Sequence, residues 1–428
     1  MKRIFTLAAS LAALAAIAMP EVQGLTVSQN NNRMVSISFT LTEKAIVTMD
    51  ILTNGVSIGA ENYQTVRDAL SNVDEFPANK AVAAGPHVFT WRPTKEWPGY
   101  HFDNNALSVK VQAWSFDNPP DYMVIDYNVR SNATFYATAA DIPGGIKTAA
   151  DPTNITDEER KILTNDVYRL SKLILRKIPA AGVKWRMGSP ETETYRQTDE
   201  TQHYVTLTND YYVAIYPFTL GQCKRFFNTG DDNKYLWSVM PKANQAYSNA
   251  RGAISSYSWP ENGYDVSPSS GFGYMRGRTG FRFDFLTEAE WEYACRAGTD
   301  DSWNGMTEDE ICWHNLSANA ANYYPGLKKP NAWGLYDMHG MVNEWVLDQY
   351  GDYPAEAVLA PVGVTTNANL RVLRGGVINI KYNNSWTSVV STRSAFRHKY
   401  DPTKGQSTAP NPFGVRVSCP ASLPDWMR

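Results

Sequence analysis

From Leu25 to about residue 115, hydrophobic and polar positions alternate. Val35, Ile37, Phe39 and Leu41 lie between polar neighbours, and Ala45, Val47, Met49 and Ile51 repeat the pattern. A period of two places alternate side chains on one face of a strand. Asn54-Gly55 then supplies the left-handed backbone of a tight hairpin, after which Val56 and Ile58 resume the alternation. His87 to Trp91 and the series Leu107, Val109, Val111, Ala113 add two more strands. Short strands joined by Gly, Pro and Asn turns predict a small all-β, immunoglobulin-like sandwich over residues 25–115. Asp50, His87 and Asp103 stand alone in it and read as solvent-facing positions.

The pattern then changes twice. Residues 116–172 carry Pro119-Pro120 and Pro143-Gly144-Gly145 and read as a linker with one short helix. Thr156 with Glu159 forms the capping box of that helix, and Ile162, Val167, Leu170 and Leu173 are placed on one face. Beyond it, Leu173 to Ile178 and Val183 to Met187 are apolar strands. The remainder is rich in Trp, Gly, Asn and Pro, with one clear helix after Thr219. Thr287 and Glu290 cap it, and Trp291, Ala294 and Cys295 set its inner face. A second domain over 173–420 and a tail over 421–428 follow.

The 428 residues are 43% apolar, which suits two or three domains with packed cores. A net charge of −3 without any Lys/Arg block argues against a nucleic-acid partner. Lys2 and Arg3 precede an apolar run from Ile4 to Ala18, the pattern of an export signal. Cleavage fits after Ala18 or after Gly24. The second is preferred, which makes 1–24 the signal peptide and leaves no later span apolar enough for a membrane. The expected location is periplasmic, cell-surface or secreted. Export would bring Cys223, Cys295, Cys312 and Cys419 into an oxidising compartment; none forms a CxxC or a zinc-spaced cluster.

Five segments stand out, in order. Trp185-Arg186-Met187-Gly188-Ser189 leads to His203-Tyr204-Val205-Thr206-Leu207 and Tyr211-Tyr212-Val213. Phe285-Leu286-Thr287-Glu288-Ala289-Glu290-Trp291-Glu292-Tyr293-Ala294 comes next, then Asn331-Ala332-Trp333-Gly334-Leu335-Tyr336-Asp337-Met338-His339-Gly340 running to Glu344-Trp345. Arg371 to Gly376 is the fourth, and Arg393 to Arg397 with Gly414-Val415-Arg416 the fifth. Together they resemble the formylglycine-generating-enzyme (sulfatase-modifying-factor) family. The resemblance implies an α+β, C-type-lectin-related fold with little regular secondary structure. By themselves the motifs mostly specify shape: helix caps, glycine turns and close backbone approach.

The active family holds copper through two thiolates shortly after its double glycine, and a soft thiolate suits Cu(I). Here those positions fall on Ile380 and Ser385, and no cysteine lies between Cys312 and Cys419. Copper is therefore not expected. Neither is iron, because no pair among His87, His101, His203, His314, His339 and His398 has the His-x3-His spacing of the related iron-dependent branch. The family's calcium turn corresponds to Gly340-Met341-Val342-Asn343-Glu344-Trp345, so calcium at Glu344 and Asn343 is weighed against pairing of Glu344 with an arginine. The resemblance also implies a Cys295–Cys419 disulfide; Cys223 and Cys312 then either pair or stay as buried thiols. Arg374, Arg393, Arg397 and Arg416 either line an anion pocket or form salt bridges to Asp337, Glu344 or Asp348. The expected function is a binding module for a protein or glycan. Its recognition surface would be Tyr382, Asn383, Asn384, Trp386, Arg393, Arg397 and His398. An oxidoreductase with a relocated site is the alternative.

Overall fold

The computed structural model describes residues 19–70, 79–97, 106–128, 133–151, 154–227, 246–252, 265–313, 324–361, 370–376, 387–402, 413–425 and 427–428. The signal segment 1–18 and Asp103 lie outside these.

Eight strands build the N-terminal part: β1 Val22–Gln29, β2 Val35–Leu41, β3 Ala45–Thr53, β4 Val56–Ser57, β5 Arg67–Asp68, β6 Lys80–Val82, β7 Gly85–Trp91 and β8 Leu107–Trp114. They form two antiparallel sheets, β1-β2-β7-β5 and β4-β3-β6 with β8 on β3. Ile37, Phe39, Val47, Met49, Phe89 and Trp91 fill the space between them. The hairpin turn is the expected one: Asn54 and Gly55 have φ 51° and 78°. The cut after Gly24 falls inside β1, whose Val22 and Gln23 pair with Leu41 and Thr40. A cut after Ala18 leaves the strand whole.

Three expectations need correction here. β3 is buried on both faces, because Ile46 on its outer side joins the core of the second domain and Thr48 accepts a hydrogen bond from Trp114 Nε1 at 2.9 Å. His87 is not on a solvent face. It is buried, with Nδ1 2.7 Å from Asp68 Oδ2 and Nε2 2.8 Å from the Ala83 carbonyl. The stretch 116–172 is not merely a linker. It contributes β9 Tyr122–Asp126 and β10 Ala133–Tyr136 to the second domain's main sheet.

The remaining strands are β11 Lys172–Ile178, β12 Lys184–Met187, β13 His203–Thr206, β14 Tyr211–Ala214, β15 Asp284–Phe285, β16 Asn343–Gln349, β17 Val358–Leu359, β18 Arg371–Arg374, β19 His398–Tyr400, β20 Phe413–Gly414 and β21 Val417–Pro420. The main sheet runs β10-β9-β11-β14-β21-β15, every pair antiparallel. Smaller sheets run β12-β13-β17 and β19-β18-β16-β20. Alternation along β11 and β14 sends Leu175, Tyr212 and Ala214 into one core cluster, and Ile174, Tyr211 and Val213 into another on the opposite face.

The Thr156 capping box forms, but its helix stops at Thr164. Ile162 and Val167 are exposed while Leu163 is buried, so the apolar face is not the expected one. The Glu288–Arg296 helix is capped as read: Thr287 Oγ1 accepts from Glu290 N at 3.1 Å, and Glu290 Oε2 from Thr287 N at 2.9 Å. Helices Leu220–Phe226 and Gly271–Thr279 are additional, the first with its own Thr219–Gln222 capping box.

The Gly271–Thr279 helix yields a paired prediction. Gly277 is exposed with nothing within 4 Å of an added Cβ, so Gly277→Ala should stabilise by up to about 1 kcal/mol. A Cβ on Gly273 would lie 1.9 Å from the Ser267 carbonyl oxygen. Gly273→Ala should therefore cost about 1–3 kcal/mol despite the better helix propensity. Urea midpoints of the two variants check the opposite signs.

Candidate functional site

The family's catalytic loop would leave β18 after Gly375-Gly376 and re-enter at the Thr387–Ser391 helix. Gly375 and Gly376 have φ 93° and 74°, and a Cβ on Gly376 would fall 2.5 Å from the Ser391 carbonyl oxygen. The two ends of the loop are thus pinned against each other, a contact only glycine permits. Ile380, Tyr382, Asn383, Asn384, Ser385 and Trp386 lie outside the described residues. His398 lies on β19 opposite Leu373, half-buried, and burial lowers its pKa from the ordinary value.

Arg393 and Arg397 are buried in ion pairs rather than displayed on an exposed surface. Arg393 is fully buried, donating to Glu193 at 2.6 Å and to both oxygens of Glu200 at 2.6 and 2.9 Å. Arg397 grips Glu288 with Nε at 2.7 Å and Nη2 at 2.9 Å, and its Nη1 reaches the carbonyls of Asp199 and Gly351. Arg374 donates to Glu292 and to the Ala395 and Phe396 carbonyls. Glu292 also receives Arg296 at 2.8 Å and the Gly188 amide at 2.9 Å. The salt-bridge reading of the arginines holds, with Glu288, Glu292, Glu200 and Glu344 as the main partners. Asp337 instead accepts from Trp313 Nε1 and Gly326 N, and Asp348 from the Glu288 amide. A planar guanidinium satisfies a buried carboxylate with two parallel bonds, which is why arginine fills these positions.

Glu344 does not suit calcium. Arg416 lies against both its oxygens at 3.0 Å, and Trp291 Nε1 donates to Oε2 at 2.7 Å. The carboxylate is surrounded by donors, and a hard cation needs an oxygen cage in their place. Asn343, one residue earlier on β16, takes the opposite face of the strand. Among the described residues no group of three or more metal-ligating side chains is set for an ion.

The Cys295–Cys419 disulfide is corrected too. None of the four cysteines is in a disulfide, and all are buried. Val417 and Cys419 share the face of β21 that packs into one core cluster, whereas Cys295 sits on the helix that packs into the other, across the sheet. Burial pushes the Cys295 thiol up to about 12 and raises Cys312 and Cys419 as well. Cys295 Sγ lies 3.5 Å from His339 Nε2 and 3.9 Å from Ser394 Oγ. The pair looks like a nucleophile with its base, but a protonated, inaccessible thiol is inert. His339 is completely buried. Its Nδ1 lies 2.8 Å from the Thr392 carbonyl and its Nε2 2.5 Å from Asn304 Oδ1. Two facing oxygens suit a doubly protonated ring, yet the desolvation of a buried cation outweighs a hydrogen bond and brings its pKa down to about 4.

Two cavities open beside this framework. One, of about 320 Å³, lies between Asp210, Arg276, Arg282, Glu290 and Ser418. The other, of about 360 Å³, is walled by Met187, Ala289, Tyr353 and Val358, with His203, Glu288, Asp348 and Arg397 at its polar side. Neither was legible in the sequence; the His203-Tyr204-Val205 motif signalled only a strand.

A model of the sulfatase-modifying factor enzyme 1-like domain matches residues 177–418. The chain is 29% identical over 255 residues to the serine/threonine-protein kinase pkn1 of Chlamydia caviae, covering 55% of this chain and 37% of that protein. It therefore spans little more than a third of that relative's length. PvdO from Pseudomonas aeruginosa superposes with a TM-score of 0.43 at 22% identity, over 58% of this chain and 94% of PvdO. Treponema denticola variable protein 1 gives 0.43 at 20% identity, over 58% and 95%. The family match covers more than half of the chain and includes the capped helix, the double glycine and the buried arginines described above. The chain belongs to the sulfatase-modifying factor enzyme 1-like family.

Proposed function

We propose that this protein is an exported binding module of its family that does not carry out copper-dependent thiol oxidation. The carrying observation is the fate of sulfur. Ile380 and Ser385 take the two thiol positions, and the four cysteines the chain does have are buried at 0–2% exposure. Isoleucine offers no ligand and a serine hydroxyl is hard, so the donor set does not fit Cu(I). None of the buried thiols can be recruited without opening the core. The recognition surface is assigned to the loop carrying Tyr382, Asn383, Asn384 and Trp386, and its partner is a protein or glycan. The close approach of Gly376 to Ser391, on the described residues that flank this segment, supports this reading. Export rests on the N-terminal signal, with cleavage after Ala18 preferred now that Val22 and Gln23 are paired in β1. Among the described residues no helix is long and apolar enough to cross a membrane.

The test uses protein recovered from the exported fraction. Its intact mass should correspond to a chain beginning at Met19. Incubated with Cu(I), oxygen and cysteine-bearing peptides, it should leave the thiols unconverted. Aldehyde formation with repeated turnover would establish the oxidoreductase reading instead.

A further inference from the structure

The cavity beside Tyr353 has a chemistry of its own. Its walls are mostly apolar, and one of them is a tilted aromatic pair: the His203 and Tyr353 rings lie 4.7 Å apart, inclined by 51°. His203 is 5% exposed. Its Nδ1 lies 3.0 Å from the Thr201 carbonyl, which fixes the hydrogen on Nδ1 and leaves a lone pair on Nε2. Nε2 has no protein partner among the described residues and is not sealed in the core, so its open side is the cavity. An acceptor that opens to the cavity without a protein donor is one that a ligand's hydroxyl can meet in place of water.

The other polar groups narrow the choice. Arg397 has Nε, Nη1 and Nη2 engaged by Glu288 and two backbone carbonyls, and its guanidinium lies 3.8 Å from the centre of the Tyr353 ring. Glu288 also accepts the Tyr353 hydroxyl at 3.0 Å. The guanidinium is thus already committed to Glu288, and Asp348 and exposed Asp352 lie along the same lining. An anionic ligand would meet like charge. The volume falls in the range of small-molecule pockets, and the Met187 thioether adapts to a ring.

We propose that this cavity is a binding site for an uncharged aromatic ring carrying a hydroxyl, a phenol, which packs against the apolar walls beside Tyr353 and donates its O–H to His203 Nε2. The site goes beyond the loop-based reading above and stands whether or not that loop binds anything.

Full-length protein labelled with 13C at its methionine methyls tests it. Titration with p-cresol should move the Met187 resonance, identified by its loss in Met187→Leu. Toluene, which has the ring without the hydroxyl, should bind roughly three- to tenfold more weakly. His203→Phe keeps the ring and removes the acceptor, so it should erase the difference between the two ligands. Ala289→Trp fills the cavity and should abolish both titrations; if that variant does not fold, the ligand pair and His203→Phe still decide. N-acetyltyrosinamide separates the sources of the phenol: binding at least as tight as p-cresol points to a tyrosine side chain, and weaker binding to a free aromatic. Equal affinity for p-cresol and toluene in the unaltered protein, or no movement of Met187, would overturn the site.

Discussion

Glu292→Gln should destabilise the protein by about 3–5 kcal/mol, a loss large enough to deplete the soluble protein at growth temperature. Glu292 is 0% exposed and is shared by Arg374 and Arg296, themselves 0% and 3% exposed. Removing the negative charge leaves two buried guanidinium groups without their counter-ion, and the glutamine NH2 can satisfy neither of these donors. The nearest other carboxylate to Arg374, Glu288, is 3.8 Å away and already holds Arg397. The arginines hold the Glu292 pKa down against the upward push of burial. A folded-state value below the unfolded one contributes stability above about pH 4.5, lost as pH falls through the folded value. Acid unfolding of Glu292→Gln should therefore be shallower than that of the parent. A loss below about 1 kcal/mol in urea would show that the arginines find other partners.

His339 is expected to make the protein acid-labile in a different window. Its folded pKa is about 4 against 6.5 for the free side chain, with burial as the main cause and Arg296 adding to it. Between these values the unfolded chain binds a proton that the folded one refuses. Stability is full above about pH 6.5 and falls as pH drops toward 4, by about 3 kcal/mol in all. Urea midpoints from pH 7.5 to 4 should show this slope, and His339→Gln should flatten it. The slope persisting unchanged in the variant would assign the titration to another group.

Local chemistry was readable wherever neighbouring residues decide it. Asn54-Gly55 gave its turn, and Thr287 with Glu290 its helix cap, because each needs contacts only a few residues apart. β9 and β10 escaped notice because Pro119-Pro120 and Pro143-Gly144-Gly145 flank them, and β11, which pairs with β9, lies beyond an intervening helix. Glu288 opens the helix capped by Thr287, yet its side chain is held by an arginine 109 residues later. That bond could not be inferred from spacing. The candidate cavity is worse still for sequence reasoning, since His203 and Tyr353 meet only after β13 and the segment following β16 are folded against each other. The disulfide expectation failed for a related reason: sequence fixes which face of β21 Cys419 takes, but not which core lies on that face.

β9 and β10 also tie the two halves of the molecule together. Phe135 donates its amide to the Asn79 carbonyl, and Asn79 in turn donates to Val47 on β3. A fragment trimmed to residues 177–418 would begin at the end of β11 and lack β9 and β10 altogether. It would leave Val213 and Ala214 without their partners Arg176 and Leu175 along one margin of the main sheet, next to apolar surface that Met123, Ile125 and Phe135 normally cover. Such an open margin invites pairing with other chains. Work on the isolated family segment would then report on aggregates, so the domain should be carved out no later than residue 116.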